Sequence, residues 1–417
     1  ASLVGESAAQ VEVGRYDATV MAGTQGHKNH QKTDRLFDLA REHRLPLVLF
    51  AEGGGGRPRE DPVTIAALQN ESFRKLAELS GHVPVVGIVS GRCFAGNAAL
   101  LGMADVIIAT DNSNIGMAGP ALIEAGGLGQ FAPEDIGPIG TQRRNGVVDI
   151  SVKDEAEAVA VGKAYLSYFQ GPVQHWQADD PRRLRHVIPE NRLRAYDVRR
   201  VIHTLADSDS VLELRRDFGQ AYVTALIRIE GRPMGVIANN PLHNAGAIDA
   251  DSADKASRFM RLCDAHRLPI LSLIDTPGIM VGPEAEESAL VRHAARLFVT
   301  AASITVPIFA IVLRKAYGLG AMAAAGGDFH TPFFTVAWPT GELGGMGLEG
   351  GVRLAYKKEL EAITDPEERQ RFFEERVASR YRKGQATYIA SYFELDAVID
   401  PADSRQWIRR GLDATAT

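Results

Sequence analysis

The chain is 417 residues long, 45% hydrophobic and 24% charged, which leaves room for two or three domains of roughly 150 residues and excludes a disordered tail, a collagen-like fibre and a membrane bundle. Its 46 Lys and Arg against 52 Asp and Glu leave a formal charge of −6, which argues against broad adhesion to nucleic acid or to an anionic membrane. Cys93 and Cys263 are the only cysteines, too few for a disulfide framework or a four-thiolate zinc site, and they point to a reducing compartment, the cytoplasm.

The sequence opens Ala1-Ser2, without methionine or a signal peptide, so an upstream segment of a longer polypeptide is expected. Val11 to Met21 reads as a strand. An amphipathic helix follows over Lys32 to Glu42, then a buried strand Leu47 to Ala51 that runs into Gly53-Gly54-Gly55-Gly56-Arg57. A second apolar strand, Val85 to Val89, leads to the small-residue turn Ala95-Gly96-Asn97-Ala98. From Gln170 to Pro189 proline, glycine and paired aspartates interrupt all periodicity, which sets the domains at 1–185 and 186–417. Beyond that boundary the order recurs: a helix over Ala253 to Ala265, a strand from Ile270, then Asp275-Thr276-Pro277-Gly278. The apolar run Leu297 to Leu313 is too short for a membrane helix and is split by Pro307. It divides into a helix end, a turn over Ser303 to Pro307 and a buried strand Ile308 to Leu313, which leads to Gly318-Leu319-Gly320-Ala321.

One offset of 223 residues aligns these halves. It sets His43-Arg44-Leu45-Pro46-Leu47 beside His266-Arg267-Leu268-Pro269-Ile270, Val83-Pro84-Val85 beside Val306-Pro307-Ile308, and Asp105 beside Asp328. A duplicated α/β domain of β-α-β units is the reading. Glycine at strand ends that open helices lets unpaired backbone N–H groups approach an oxyanion. The alternative for any one cluster is tight packing of helix on sheet.

Other motifs are weaker. Gly345-Met346-Gly347-Leu348-Glu349-Gly350 fits the dinucleotide string, but it follows Trp338-Pro339-Thr340-Gly341 and does not enter from an expected strand. P-loop, G-x-S-x-G and H-E-x-x-H patterns do not occur. His27 and His30 have no acidic or thiol companions at metal-binding spacing, so no metal is expected. Asp249, Asp251 and Asp254 lack the glycine of a calcium loop and read as helix capping. Arg143-Arg144, Arg182-Arg183 and Arg192 to Arg200 are mostly solvated, with one or two available for a nucleotide-like phosphate.

The blocks Val236-Ile237-Ala238-Asn239-Asn240-Pro241, Asp275-Thr276-Pro277-Gly278, Val306-Pro307, Arg314-Lys315-Ala316-Tyr317-Gly318 and Ala337-Trp338-Pro339-Thr340 stand in one order, and Val398-Ile399-Asp400-Pro401-Ala402-Asp403-Ser404-Arg405 closes the chain. Together they resemble the carboxyltransferase component of biotin-dependent acyl-CoA carboxylases, most closely the propionyl-CoA and methylcrotonyl-CoA carboxylase beta subunits. The resemblance implies an α/β fold of tandem duplicated crotonase-type β-β-α superhelix domains, the first for coenzyme A thioesters and the second for biotin. It also implies sites shared across a dimer interface in a homo-oligomer, a hexamer built as a trimer of dimers.

In residue terms, the resemblance assigns oxyanion stabilisation to Gly96 and Asn97 on the thioester and to Gly320 and Ala321 on the biotin ureido oxygen. It gives Gly54, Gly55, Gly56 and Arg57 to acyl-CoA, Thr276, Pro277, Gly278 and Tyr317 to the biotin side, and Met322 and Ala323 to acyl selectivity. Two departures stand out. Gly53-Gly54-Gly55-Gly56-Arg57 replaces Ser-Gly-Gly-Ala-Arg, and Asn97 replaces a glycine, keeping its amide but requiring room for a side chain. The expected chemistry moves a carboxyl group from N-carboxybiotin to the alpha carbon of an acyl-CoA through an enolate, with backbone donors and proximity in place of a side-chain nucleophile. No Ala-Met-Lys-Met biotinylation sequence and no ATP-binding domain is present, so biotin carboxylase and biotin carboxyl carrier partners, separate or fused, are implied. A biotin-linked decarboxylase, a dinucleotide oxidoreductase and a non-catalytic scaffold remain the competing readings.

Overall fold

The computed structural model describes residues 10–57 and 69–415. The chain divides into two compact units. The first runs to Gly171 and takes in Leu214–Phe218; the second comprises Pro172–Glu213 and everything from Gly219 onward. Residues 172–185, which the sequence reading gives to the first half, thus lie with the second, where Val173 N–H donates to Gly231 O and Ser208 N–H to Gln177 O.

In the first unit, five parallel strands form one sheet in the order Glu12–Arg15, Leu47–Phe50, Val85–Val89, Val106–Thr110, Ile150–Val152. Val85–Val89 and Val106–Thr110 are buried at every residue, as the central strands of a parallel sheet covered on both faces must be. A separate parallel pair, Arg92–Phe94 with Asn114–Gly116, carries the chain from the sheet to the helix Gly96–Gly102. Leu214–Phe218 closes this unit through a buried ion pair, Arg215 Nε to Asp149 Oδ1 at 2.8 Å.

The second unit has an eight-stranded sheet whose path is Ala397–Val398, Phe334–Ala337, Ile308–Tyr317, Ile270–Thr276, Arg232–Asn239, Tyr222–Ile229, Leu212–Leu214. Glu342–Gly344 pairs off that path with Lys315–Tyr317. Its core gathers Leu271, Leu273, Phe309, Ile311, Leu313, Val336 and Trp338, and the Trp338 indole donates to Ser404 Oγ at 2.8 Å.

The offset of 223 residues recurs in the element bounds and in the backbone angles. Helix His27–Glu42 corresponds to Ala250–Ala265, and the turn Met21–Gly23 to Asn244–Gly246. The left-handed residues Ala22, Arg44, Gly55 and Ala95 correspond to Ala245, Arg267, Gly278 and Gly318. Such residues are uncommon outside glycine, so their recurrence fixes the register of the two halves.

Three sequence expectations change. The first strand ends at Arg15, not Met21, because the chain bends through Asp17, whose carboxylate accepts the Thr19 N–H and hydroxyl. The first helix starts at His27, with Asn29 Oδ1 accepting the Gly26 N–H. His30 is therefore helical, and its ring bonds Ser72 Oγ and Asn70 Nδ2. The glycine string at 345–350 does follow a strand, the three-residue Glu342–Gly344, and opens the helix Leu348–Ala355. Among the described residues no helix is long and apolar enough to cross a membrane, and no cluster of three His, Cys, Asp or Glu stands ready for a metal.

Candidate active site

In each unit a short helix starts directly where a strand ends. In the first, strand Arg92–Phe94 stops at Ala95, held at φ 53°, ψ −122°, a conformation costly for a residue with a β-carbon. Ala95 N–H is anchored to Gly116 O at 3.0 Å. The strained residue turns the chain so that Gly96 and Asn97 begin a helix with no acidic side chain in its first turn. Helix geometry leaves the amides of Gly96, Asn97 and Ala98 without an acceptor inside the helix, and they bond no other described residue outside it. The buried Gln25 side chain lies against Gly96 and reaches the Tyr16 hydroxyl at 3.4 Å.

The glycine turn beside this helix spends most of its own amides internally. Gly53 N–H donates to Arg92 O, Gly54 N–H to Ala22 O and Arg57 N–H to Gln25 O, while Gly55 N–H donates to Asn97 Oδ1 at 3.0 Å. Gly56 faces open space. The Arg57 guanidinium reaches Thr24 O at 3.1 Å and Asn29 Oδ1 at 3.4 Å. The turn is therefore a braced wall with Gly56 at its open edge.

In the second unit, Tyr317 leads into the helix Gly318–Ala324, with Gly318 at φ 57° and again no acid in the first turn. Gly320 is the third residue of this helix and its amide lies among those without an intrahelical acceptor; Ala321 is the fourth, where the ladder begins. The turn Thr276-Pro277-Gly278 lies directly on Gly320. Thr276 Oγ1 accepts the Gly278 N–H at 3.1 Å, and Gly278 O accepts from Ile248 N–H at 3.0 Å. Thus Thr276, Gly278, Tyr317, Gly320 and Ala321 come together. Met322 is partly exposed on the same helix and Ala323 is buried.

Behind this helix start lies a buried charged layer that the sequence reading did not resolve. Asp275 Oδ2 accepts from Arg314 Nε at 3.0 Å and Oδ1 from Lys315 N–H at 3.2 Å. Arg314 also donates to the carbonyls of Arg192 and Arg194 and stacks on Tyr196. Glu342 is buried with Arg192 at 3.6 Å, and neither of its carboxyl oxygens has a hydrogen-bond partner among the described residues. Burial raises the Asp275 carboxyl against the pull of Arg314 and Lys315, raises Glu342 against Arg192, and lowers the Lys315 ammonium against Asp275. Tyr317 is raised by burial and by Glu342. The signal for this layer was the Arg314-Lys315 pair at the end of an otherwise apolar strand.

Residues 8–417 match the carboxyl transferase domain model. The chain belongs to the carboxyl transferase family. Among its relatives, this carboxyltransferase domain is 31% identical to the propionyl-CoA carboxylase beta chain of Roseobacter denitrificans over 94% of its own length and 78% of that protein. It is 29% identical to the methylmalonyl-CoA carboxyltransferase 12S subunit of Propionibacterium freudenreichii subsp. shermanii, over 98% and 79%. Among solved structures it resembles a single-chain, multi-domain long-chain acyl-CoA carboxylase, with 60% identity and a TM-score of 0.91 over 98% of this chain. The carboxyltransferase domain spans 40% of the length of that protein.

Proposed function

We propose that this chain transfers a carboxyl group from N-carboxybiotin to the alpha carbon of an acyl-CoA, on two units of crotonase-type β-β-α superhelix fold. The observation that carries this reading is the family match across residues 8–417, joined to two equivalent helix starts that offer amides and no acid. Removing the alpha proton of a thioester puts charge on its carbonyl oxygen, and that proton would pass to the ureido nitrogen that gives up the carboxyl group. The amides of Gly96 and Asn97 suit that charge, and each such donor contributes about 2.7 to 4 kcal/mol in a dry site. Gly56 and Arg57, at the open edge of the braced turn, are assigned to the CoA thioester with Gly54 and Gly55 as its wall. On the other side the Gly320 amide donates toward the ureido oxygen, with Ala321 beside it at the first rung of the helix ladder, while Thr276, Pro277, Gly278 and Tyr317 form its support. The amide donors fit a ureido group, which is a planar acceptor. Biotin, carried on another domain or subunit, supplies the activated carboxyl group when bound. No side-chain nucleophile is required, because the chain's contribution is charge stabilisation and proximity.

The partners on this reading are a biotin carboxylase and a biotin carboxyl carrier, and the assembly is a hexamer, as in the transcarboxylase 12S structure, whose hexamer assembly has been described and which is 29% identical with a TM-score of 0.86. The 60% identity to a long-chain acyl-CoA carboxylase supports a long acyl chain as substrate. The test is incubation with labelled bicarbonate, ATP, biotin carboxylase, biotinylated carrier and acetyl- to palmitoyl-CoA. Label in the acyl-CoA product, rising with chain length, is the expected result. Carboxylated carrier that accumulates without labelling any acyl-CoA overturns the reading.

A further inference from the structure

The side chain of Asn97 has work beyond its amide. It is the second residue of the helix Gly96–Gly102 and is fully buried. Its Oδ1 accepts from Gly55 N–H at 3.0 Å. Its Nδ2 donates to Glu52 O at 3.3 Å and to Gly23 O at 3.5 Å. One carboxamide thus ties three segments together: the turn at 21–23, the glycine turn and the helix start. The room it needs comes from Gly53, where a β-carbon would stand 2.4 Å from Nδ2.

The second unit is the internal control. The offset of 223 residues places Gly320 where the first unit has Asn97, and Gly278 where it has Gly55. There a β-carbon on Gly320 would stand 2.6 Å from the Gly278 carbonyl carbon and 2.9 Å from Ile279 N, so backbone rests on backbone. Both turns make the same outer bonds, Gln25 N–H to Gly55 O and Ile248 N–H to Gly278 O. What differs is the carboxamide between turn and helix in the first unit.

We propose that Asn97 is a positioning residue for the acyl-CoA side: its carboxamide holds the turn Gly53–Gly56 off the helix start at a fixed separation, setting the slot in which the thioester meets the Gly96 and Asn97 amides. This rests on the acyl-CoA assignment above. A residue acting only through its backbone tolerates Asn97→Gly, because the amide stays. A residue that holds the turn does not.

The experiment uses the full chain with its biotin carboxylase and carrier, and compares wild type with Asn97→Gly. Hydrogen–deuterium exchange of the segment 51–57, without substrate, reads the turn directly; KM for acyl-CoA and for the carboxylated carrier read the two sides separately. Loss of two or three internal hydrogen bonds is expected to speed exchange at 53–55 and raise the acyl-CoA KM by about tenfold or more, with the carrier KM within about twofold. Exchange and acyl-CoA KM both at the wild-type level, or an equal rise in both KM values, overturns the proposal. If Asn97→Gly shows no cooperative melt, Asn97→Asp decides by the same readouts, since it keeps the acceptor for Gly55 and turns an oxygen toward two carbonyls. Exchange needs no turnover, so a wild-type chain that transfers no carboxyl group refutes the functional reading while the hold of Asn97 on the turn is still judged.

Discussion

Gly320 lies against Gly278 so closely that a β-carbon on it would stand 2.7 Å from the Gly278 Cα. The atoms it would meet are backbone, which cannot rotate away as a side chain does. Helix start and turn are therefore one rigid piece, and the amide of Gly320 is fixed with respect to Thr276 and Gly278 before any ligand arrives. Preorganised donors of this kind need no rearrangement as charge develops.

Gly320→Ala is the direct test of that contact. The added methyl must push the turn 276–279 outward, at about 1 to 3 kcal/mol for overpacking. The variant should fold with a lowered melting temperature, show a KM for the carboxylated carrier raised about tenfold, and bind acyl-CoA as wild type does. A stable variant with unchanged carrier kinetics would show that the turn yields freely and that the contact is packing only.

The buried pair Asp275 and Arg314 makes a different prediction. Asp275→Asn removes the negative charge that faces the buried Arg314 guanidinium and leaves it neutral acceptors alone, the new amide oxygen and the carbonyls of Arg192 and Arg194, and removing the charged partner of a buried pair costs up to about 3 to 5 kcal/mol. Denaturant unfolding of Asp275→Asn, Arg314→Met and the double variant gives the coupling. The double variant is expected to recover at least half of the loss; strictly additive losses would mean that the pair does not interact in the folded chain.

Much of this architecture is legible in the sequence, for identifiable reasons. The duplicated blocks fix strand ends and helix ends because proline and glycine act locally, as at Pro46 and Pro269 or at Gly55 and Gly278. The positions of Gly96, Gly320 and Thr276 at strand ends follow from that register. Long-range partners do not follow. Arg192 bonds Glu349 across 157 residues, Asn97 bonds Gly23 across 74, and no local pattern announces either. The first strand is shorter than the expected Val11 to Met21: that run is mostly compatible with extension, and only the Asp17 turn with Thr19 shows where pairing stops.

Glu342 gives a pH dependence with a definite sign. Burial raises its carboxyl above the ordinary value of 4.5, with Arg192 pulling the other way. The folded chain then holds this proton to higher pH than the unfolded chain does. The stabilisation is fully present below the unfolded value and is lost as pH rises through the folded one. Glu342→Gln has no proton to lose at this position. Its urea midpoint relative to wild type is therefore expected to rise as the pH is raised upward from the ordinary carboxylate range. A flat difference as the pH rises would show that Arg192 keeps Glu342 at an ordinary carboxylate value.

The two residues proposed for acyl selectivity are neighbours in one helix, Met322 at 38% exposure and Ala323 at 1%. Ala323→Asp places a carboxylate in a buried position with no cation supplied for it, so a loss of stability is expected to mask any change in substrate preference. Met322 is the cleaner probe of whether this helix touches the acyl chain. Met322→Ala removes apolar surface at a part-exposed position, with a stability change within about 0.5 kcal/mol. If the long chain lies along it, the variant loses contact equivalent to about two methylenes at about 0.8 kcal/mol each. kcat/KM should then fall about tenfold for palmitoyl-CoA and little for propionyl-CoA. The same fractional change at every chain length would mean that the chain runs elsewhere, and the turn from Gly53 to Arg57 becomes the place to look for what measures it.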